Sequence, residues 1–247
     1  MTEPGPMQSA QRLMRPELPK RFYKSAEAAR SGQGFTILLD GRPVRSPAKN
    51  PISVPDEGLA LALAEEWNAQ AEVIDPAKMP LTRLVNSAID GVAREPAAVR
   101  AEIVKYAESD LICYRAEGPD RLVARQEAAW NPVLGWAEQE LGARFEHTAG
   151  VVFRQQPQAS SDAVAASLEA LDIFRLAALS AATTLTGSAL LSLAVLHGRL
   201  SVEEAWNAAH IDEDWNVEAW GEDEEAKDRR ARRYEEMKAA GRLLAPA

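Results

Sequence analysis

Cysteine and histidine are scarce in this chain. Its 247 residues include one cysteine, Cys113, and three histidines, at 147, 197 and 210. One cysteine cannot form an intrachain disulfide, which is typical of a reducing compartment. Zinc and iron sites need clustered ligands at characteristic spacing, and these few residues supply no such cluster. We therefore expect no metal ion and no other cofactor.

Motifs for nucleotide binding and for nucleophilic catalysis are also missing. The chain has no Walker sequence, no dinucleotide fingerprint and no Gly-x-Ser-x-Gly. Gly32 and Gly34 lie between two predicted strands, without the helix that a phosphate loop requires. A net charge of −9 and a pI near 5.0 argue against nucleic acid as a partner, because binding to phosphates needs a basic surface. A basic protein surface is the better expectation.

Lysine and arginine are absent from residues 201–225, which we call the acidic block. It holds ten Asp or Glu and has a net charge of −10, so the rest of the chain is nearly neutral. At 3.6 residues per turn, one helical face would carry Trp206, Ala209, Glu213, Val217 and Trp220. Burying an ionised carboxylate costs on the order of several kcal/mol, so an acid in an apolar stripe must be paired, solvated or used. Glu213 is therefore the first candidate site residue.

Other interpretations of these acids remain open. Most of the block could be a solvated helix face, and Glu213 or Asp212 could pair internally with Arg83 or Arg175. Asp212, Glu213 and Glu218 could instead act as the acid and base of a hydrolase or isomerase. A third possibility is a structural adaptor that stays bound to a basic partner.

We expect two domains, a small one with strands and helices and a larger helical one, so the predicted fold class is α+β. Residues 1–20 are rich in proline and lack an apolar signal segment, so they are predicted to be a flexible tail. Residues 21–93 alternate turn signals with short apolar runs, which predicts a small α/β domain with short antiparallel strands. Residues 94–247 have helical spacing and are predicted to form a larger all-helical domain.

One uncharged run raises the question of a membrane span. Residues 176–196 are 21 positions long, which meets the length criterion for crossing a bilayer. Seven of these positions are Ser, Thr or Gly, and they interrupt the run at its centre. We therefore predict two core helices broken near Gly187, with no stable membrane insertion.

Several long blocks of the sequence resemble one protein family. They are RFYK at 21–24, LLDGRPVRSP at 38–47, LALAEEWNAQ at 61–70, MPLTRLVNSAID at 79–90 and the run from DLICYR to NPVLGW at 110–136. In the acidic block, the match consists of Asp212-Glu213, Trp220-Gly221 and 223–225. The family is that of the assembly chaperones of the soluble headpiece of F-type ATP synthase, the members that attend the alpha subunit in mitochondria and alphaproteobacteria.

The resemblance implies a non-enzymatic, ATP-independent chaperone with a small α/β domain followed by a helical one. Such a protein binds the unassembled alpha subunit, shields its intersubunit surface and yields it to the beta subunit. The acidic position that the family requires best matches Glu213, with Asp212 beside it. Because no targeting presequence is apparent, the expected location is a bacterial cytoplasm, and we expect a monomer when no client is bound. The candidate partner-binding residues are Glu213, Asp212, Trp220, Trp206 and Asp223.

Overall fold

A computed structural model describes residues 18–245 of the chain, which combine a small antiparallel sheet with a larger set of helices. The strands are β1 (Ala26–Ser31), β2 (Gly34–Leu39), β3 (Arg42–Pro43), β4 (Tyr114–Arg115) and β5 (Thr148–Ala149). The helices are α1 (Glu57–Asn68), α2 (Pro80–Ser87), α3 (Pro96–Glu108), α4 (Asp120–Trp136), α5 (Gln158–Leu168), α6 (Ile173–Thr186), α7 (Ala189–Leu196), α8 (Val202–Ala209), α9 (Ile211–Trp220) and α10 (Glu224–Leu244). Two π-helical turns, Ala88–Val92 and Ala137–Leu141, prolong α2 and α4.

The predicted antiparallel strands are confirmed. The sheet has the order β1-β2-β3, and its register pairs Ala28 with Ile37 and Leu39 with Arg42. The first hairpin turns at Gly32, with φ +61°, and the second turns at Asp40 and Gly41, with φ of +47° and +80°. In the second hairpin both turn residues have left-handed backbone, which matches the twist of the flanking strands, so the local sequence sets the register of β2 and β3.

Helix α1 covers one face of the sheet. Its first turn is capped by Asp56, whose carboxylate accepts from the Leu59 amide at 2.8 Å. Leu59 and Leu63 are buried, one helical turn apart, and Ile37 of β2 is buried beneath the same layer. At the end of the helix, the side chain of Asn68 exchanges two hydrogen bonds with the backbone of Ala26, each 2.8 Å long. The sheet is thereby fixed to the C-terminal end of α1.

The uncharged run folds as predicted, into two core helices. α6 ends at Gly187, whose φ of +69° is the left-handed conformation that commonly terminates a helix, and Ser188 caps α7. Every residue of α7 except its last, from Ala189 to Val195, is buried. Of the helices between residues 18 and 245, none has both the length and the apolar character needed to span a membrane.

The region after residue 94 is not all-helical, which corrects the prediction. β4 and β5 form a short parallel pair in which Tyr114 lies beside Thr148 and Arg115 beside Ala149. Helix α3 stops at Glu108 because Asp110 caps a separate 3-10 turn at Leu111–Cys113. Such small features depend on tertiary contacts and leave no periodic signal.

All the buried apolar residues except Leu122 form one continuous cluster, from Tyr23 to Leu244. The predicted boundary between residues 93 and 94 therefore stays a prediction. Of the predicted flexible tail, residues 1–17 lie outside the described part of the chain. Residues 19 and 20 pair through their backbones with residues 73 and 74. Helix α10 completes the core, and a Cβ atom at Gly241 would overlap the side chain of Val202.

Candidate functional site

The acidic block does not form the single helix that its spacing suggested. The chain breaks at His210, where φ is −113° and ψ is 19°, so Trp206 belongs to α8 and Glu213 to α9. Trp206 is only 5% exposed and packs in the core, whereas Trp220 is 87% exposed. The expected face with Glu213 between two tryptophans is therefore wrong, and only Trp220 lies on the surface with Glu213.

Core packing accounts for the break. The indole of Trp206 lies against the rings of His210 and Tyr234, with centroids 3.9 Å and 5.3 Å away. The indole nitrogen of Trp130 donates to the carbonyl of Ala208 at 2.7 Å, which satisfies one of the free carbonyls at the end of α8. The start of α8 is fixed by a capping box between Ser201 and Glu204. Helix α8 is thus held inward at both ends, and α9 leaves in a new direction.

His210 lies at the hinge between the two helices and is buried. Its Nδ1 lies 2.7 Å from the carbonyl oxygen of Trp206 and donates to it, since a carbonyl can only accept. Burial lowers the pKa of His210, with the nearby Glu213 carboxylate opposing the shift. The neutral ring therefore turns its unprotonated Nε2 toward Glu213, 3.9 Å away.

Helix α9 contains no buried residue. Apart from the partly buried Ile211 at its start, which packs against the core, it is attached to the body by polar contacts and one cation–π contact. These are Gln126 to Asp212 at 2.7 Å, Arg125 to both oxygens of Glu218 at 2.7 and 2.8 Å, Arg230 to Asp214, and Arg125 over the ring of Trp215 at 5.2 Å. A helix held in this way adds little to the core, so its position on the surface calls for another explanation.

Glu213 is accessible and is not locked by a guanidinium of its own chain. Its side chain is 59% exposed and lines a cleft of about 340 Å³ between α9 and the start of α10. The two internal partners considered from sequence lie elsewhere: Arg83 pairs with Glu236, and Arg175 donates to the carbonyl of Ala245 at 3.5 Å. Val217 lines the same cleft and is partly exposed, so an acid and an apolar surface lie side by side.

Asp212 and Asp223 have definite local partners. The Gln126 side chain that donates to Asp212 is itself buried and accepts from the Ala116 amide at 2.8 Å. Asp223 caps α10 by accepting from the amides of Glu225 and Ala226 at 3.4 and 3.2 Å. Both carboxylates therefore position the helices on either side of the cleft, and their roles in partner binding stay predictions.

An exposed apolar segment, Val151–Phe153, was not predicted as a site. All three side chains are largely exposed, directly after β5. β5 pairs with Arg115, whose guanidinium donates to the carbonyl of Gln126 at 2.9 Å, so this loop and the start of α9 share one contact network. Sequence reasoning could only treat the three apolar residues as an extended segment, because hydrophobic character alone predicts burial.

The acids of α9 do not converge as catalytic carboxylates would. Asp212 faces Gln126, Glu218 faces Arg125 and Glu213 faces the cleft, so no two of them share a pocket. The part of the chain that the structure describes contains no group of three or more His, Cys, Asp or Glu able to hold a metal ion.

Comparisons with known proteins place these features in context. A family model described as ATP12 chaperone protein matches residues 20–138. A crystal structure of the Atu1473 protein from Agrobacterium tumefaciens is 51% identical, with a TM-score of 0.88, over 98% of this chain and 91% of that one. The crystal structure of Atp12 from Paracoccus denitrificans is 42% identical, with a TM-score of 0.84, over 92% of this chain and 97% of that one. The mitochondrial protein atp12 of Schizosaccharomyces pombe is 26% identical over 219 residues, which are 84% of this chain and 75% of that protein.

Proposed function

The chain belongs to the family of ATP12 chaperone proteins, which act in ATP synthase assembly, and from this membership we propose that its client is the unassembled alpha subunit. In this proposal the protein covers the intersubunit surface of the alpha subunit until the beta subunit replaces it. It works without ATP and without catalysing a reaction. Two of the matched proteins come from bacteria and the fission yeast one is mitochondrial, and we place this chain in a bacterial cytoplasm.

The observation that carries the proposal is the construction of α9. A ten-residue helix with no buried side chain presents Glu213, Val217 and Trp220 outward. Protein interfaces are apolar at their centre, with aromatic and arginine side chains as anchors, so a stand-in for a missing subunit should offer apolar area and an acid. The exposed carboxylate of Glu213 can pair with a cationic side chain of the client at the edge of the cleft, whose lining also includes Lys227, Arg229, Arg230 and Arg233. Trp220 can bury its ring against an apolar patch.

Reversible binding also fits this surface. A chaperone must release its client, and charge complementarity favours fast, salt-sensitive association over very tight holding. The net charge of −10 in the acidic block supplies this long-range attraction. A permanent adaptor usually has a more hydrophobic interface, so a block with this much charge is not typical of one.

Charge reversal at Glu213 tests the proposal. We expect Glu213→Lys to keep the wild-type circular dichroism spectrum and melting temperature, because the side chain is exposed. Capture of purified, unassembled alpha subunit should fall at least tenfold. The matched control is Glu108→Lys, an exposed acid outside the acidic block, which should capture the client as the wild type does.

Four outcomes would contradict the assignment. Unchanged capture by Glu213→Lys would remove the acid from the binding surface, and equal losses in both variants would show a nonspecific charge effect. Turnover of a small substrate that Glu213→Gln abolishes would favour the enzyme alternative. Persistence of the protein in the finished alpha–beta complex would favour the adaptor alternative.

A further inference from the structure

A second pocket lies on the sheet, at the hairpin that joins β2 and β3. We call it the hairpin pocket. It has a volume of about 600 Å³, and its walls include the aromatic side chains of Phe22, Tyr23 and Trp67. Two arginines, Arg42 and Arg45, line it as well. Phe22 is 73% exposed, which is unusual for a phenylalanine that also packs edge-on against Tyr23.

The charge around this pocket is opposite to that of the acidic block. Residues 20–49 hold seven Lys or Arg and two Asp or Glu, a net charge of +5 in a protein whose net charge is −9. Between residues 18 and 245, neither Arg42 nor Arg45 forms an ion pair with a carboxylate of the chain. Within the described residues, the guanidinium of Arg45 donates only to the carbonyl of Lys49, at 2.9 Å. Two guanidinium groups therefore keep donors that the fold does not use.

Asp40, the acid beside these arginines, already accepts hydrogen bonds from the backbone. The Asp40 carboxylate accepts from the amides of Lys24 and Ser25 at 3.0 to 3.1 Å, and these bonds lower the pKa of Asp40. Its role is to hold the left-handed turn that carries Arg42. The hairpin is thus fixed before any ligand arrives, which reduces the entropy lost on binding.

The chemistry of the pocket selects its ligand. Pro43 has no N–H to offer, which weakens β3 as a template for an added strand, so side chains must carry most of the recognition. The aromatic walls fit an apolar side chain, and planar guanidinium groups bind carboxylates through paired hydrogen bonds. We propose that the hairpin pocket binds an acidic, extended segment of the client polypeptide, with an apolar side chain in the pocket and carboxylates on Arg42 and Arg45.

This inference rests on the proposed function for the identity of the client. It adds a second contact of opposite charge to the one at Glu213. The client must then present a cation to the acidic block and, through a separate segment, carboxylates to the hairpin pocket, which disfavours partners that have only one sign of charge.

A defined peptide tests the pocket directly. The probe is a fluorescein-labelled Glu-Asp-Phe-Asp-Glu peptide, followed by fluorescence anisotropy with the full chain. We expect binding that weakens as NaCl is raised, and at least tenfold weaker binding by Arg42→Gln/Arg45→Gln. The matched control, Lys20→Gln/Arg30→Gln, removes the same charge from residues 20–49 outside the pocket and should change the affinity less than twofold.

Two further peptides make the test independent of how the variants fold. Replacing the phenylalanine of the probe by alanine, or its acids by lysines, should weaken binding to the wild-type protein at least tenfold. Equal binding of the acidic and the lysine peptides, or equal losses in both double variants, would overturn the proposal.

Capture of the alpha subunit separates this inference from the proposed function. We expect the acidic peptide to compete with the client, and the Arg42→Gln/Arg45→Gln variant to capture less of it. Normal capture by that variant, with no competition, would overturn the inference and leave the proposed function standing. No capture by the wild-type protein would overturn the proposed function and the client assignment made here, even if the peptide binds.

Discussion

A buried carboxylate, Asp110, gives the sharpest prediction about stability. Its side chain has no solvent exposure and accepts from the amides of Ile112 and Leu190 at 3.2 and 3.0 Å, which ties the segment after α3 to the start of α7. Burial raises the pKa of Asp110 to about 6, with hydrogen bonds from Ser188 and the backbone opposing the shift. The charge is thus present at neutral pH in a place where it costs stability.

The magnitude follows from linkage. An aspartate in the unfolded chain has a pKa of about 3.9, so the folded state binds more protons between about pH 4 and pH 6. The stabilising effect of protonating Asp110 is complete below pH 4 and is lost as the pH rises through 6. A difference of about two pKa units corresponds to about 3 kcal/mol of unfolding free energy.

The assay is urea denaturation of wild type and Asp110→Asn at intervals from pH 4 to 7.5. The amide cannot accept with both of its heavy atoms, so at pH 4 the variant should be less stable than the wild type by about 1–3 kcal/mol from one unpaired buried amide. This wild-type advantage should shrink by up to about 3 kcal/mol as the pH rises to 7.5, because the wild type alone has to ionise a buried carboxyl. A wild-type advantage that stays constant across this range would refute the reasoning.

Three further predictions concern packing, dynamics and the exposed loop. Gly241→Ala should lower the free energy of unfolding by about 1–3 kcal/mol, because the new Cβ overlaps a valine of α8. Gly135→Ala, where a Cβ meets no atom, should raise it by about 0.5–1 kcal/mol. Thermal unfolding of the two variants tests this difference in sign. Glu218→Gln should speed hydrogen exchange of α9 several-fold and leave exchange in α6 and α7 unchanged, because the Glu218 side chain attaches a helix with no buried residue. Equal acceleration in all three helices would show that α9 does not open separately. Serine at all three positions of Val151–Phe153 should leave the melting temperature within about 1 °C and reduce capture of the alpha subunit; a clear loss of stability would show that the loop is structural.

Local chemistry made the sheet and the core helices predictable. The hairpin turns are determined by residues such as Gly32 and Gly41, which can take positive φ at little cost, and the break between α6 and α7 is determined by Gly187. Each of these signals lies within a few residues of its effect. The family resemblance rested on short, continuous blocks of sequence, and the Paracoccus structure confirms it.

The direction of α9 could not be predicted in this way. The sequence around His210 has no proline or glycine, so its periodicity continues smoothly from Trp206 to Trp220. The break depends on a distant residue, Trp130, whose indole binds the carbonyl of Ala208 from another helix. Trp206 is also held in the core by Tyr234 of α10, so its burial depends on tertiary contacts that periodicity does not record.

The contacts that the ten acids of the acidic block make within the chain indicate which of them can bind a client. Seven of its ten acids have hydrogen bonds or ion pairs with their own chain: Glu204, Asp212, Asp214, Glu218, Glu222, Asp223 and Glu225. These acids cap helices and attach α9, so their charge is partly used in folding. Of the other three, Glu203 and Glu224 lie on open helix surface. Glu213 lines the cleft together with the paired acids Glu222 and Asp223 and four basic side chains of α10, beside a histidine whose burial keeps it neutral. A cationic side chain of a client would therefore meet at Glu213 a carboxylate that no cation of the fold binds directly, with apolar surface next to it.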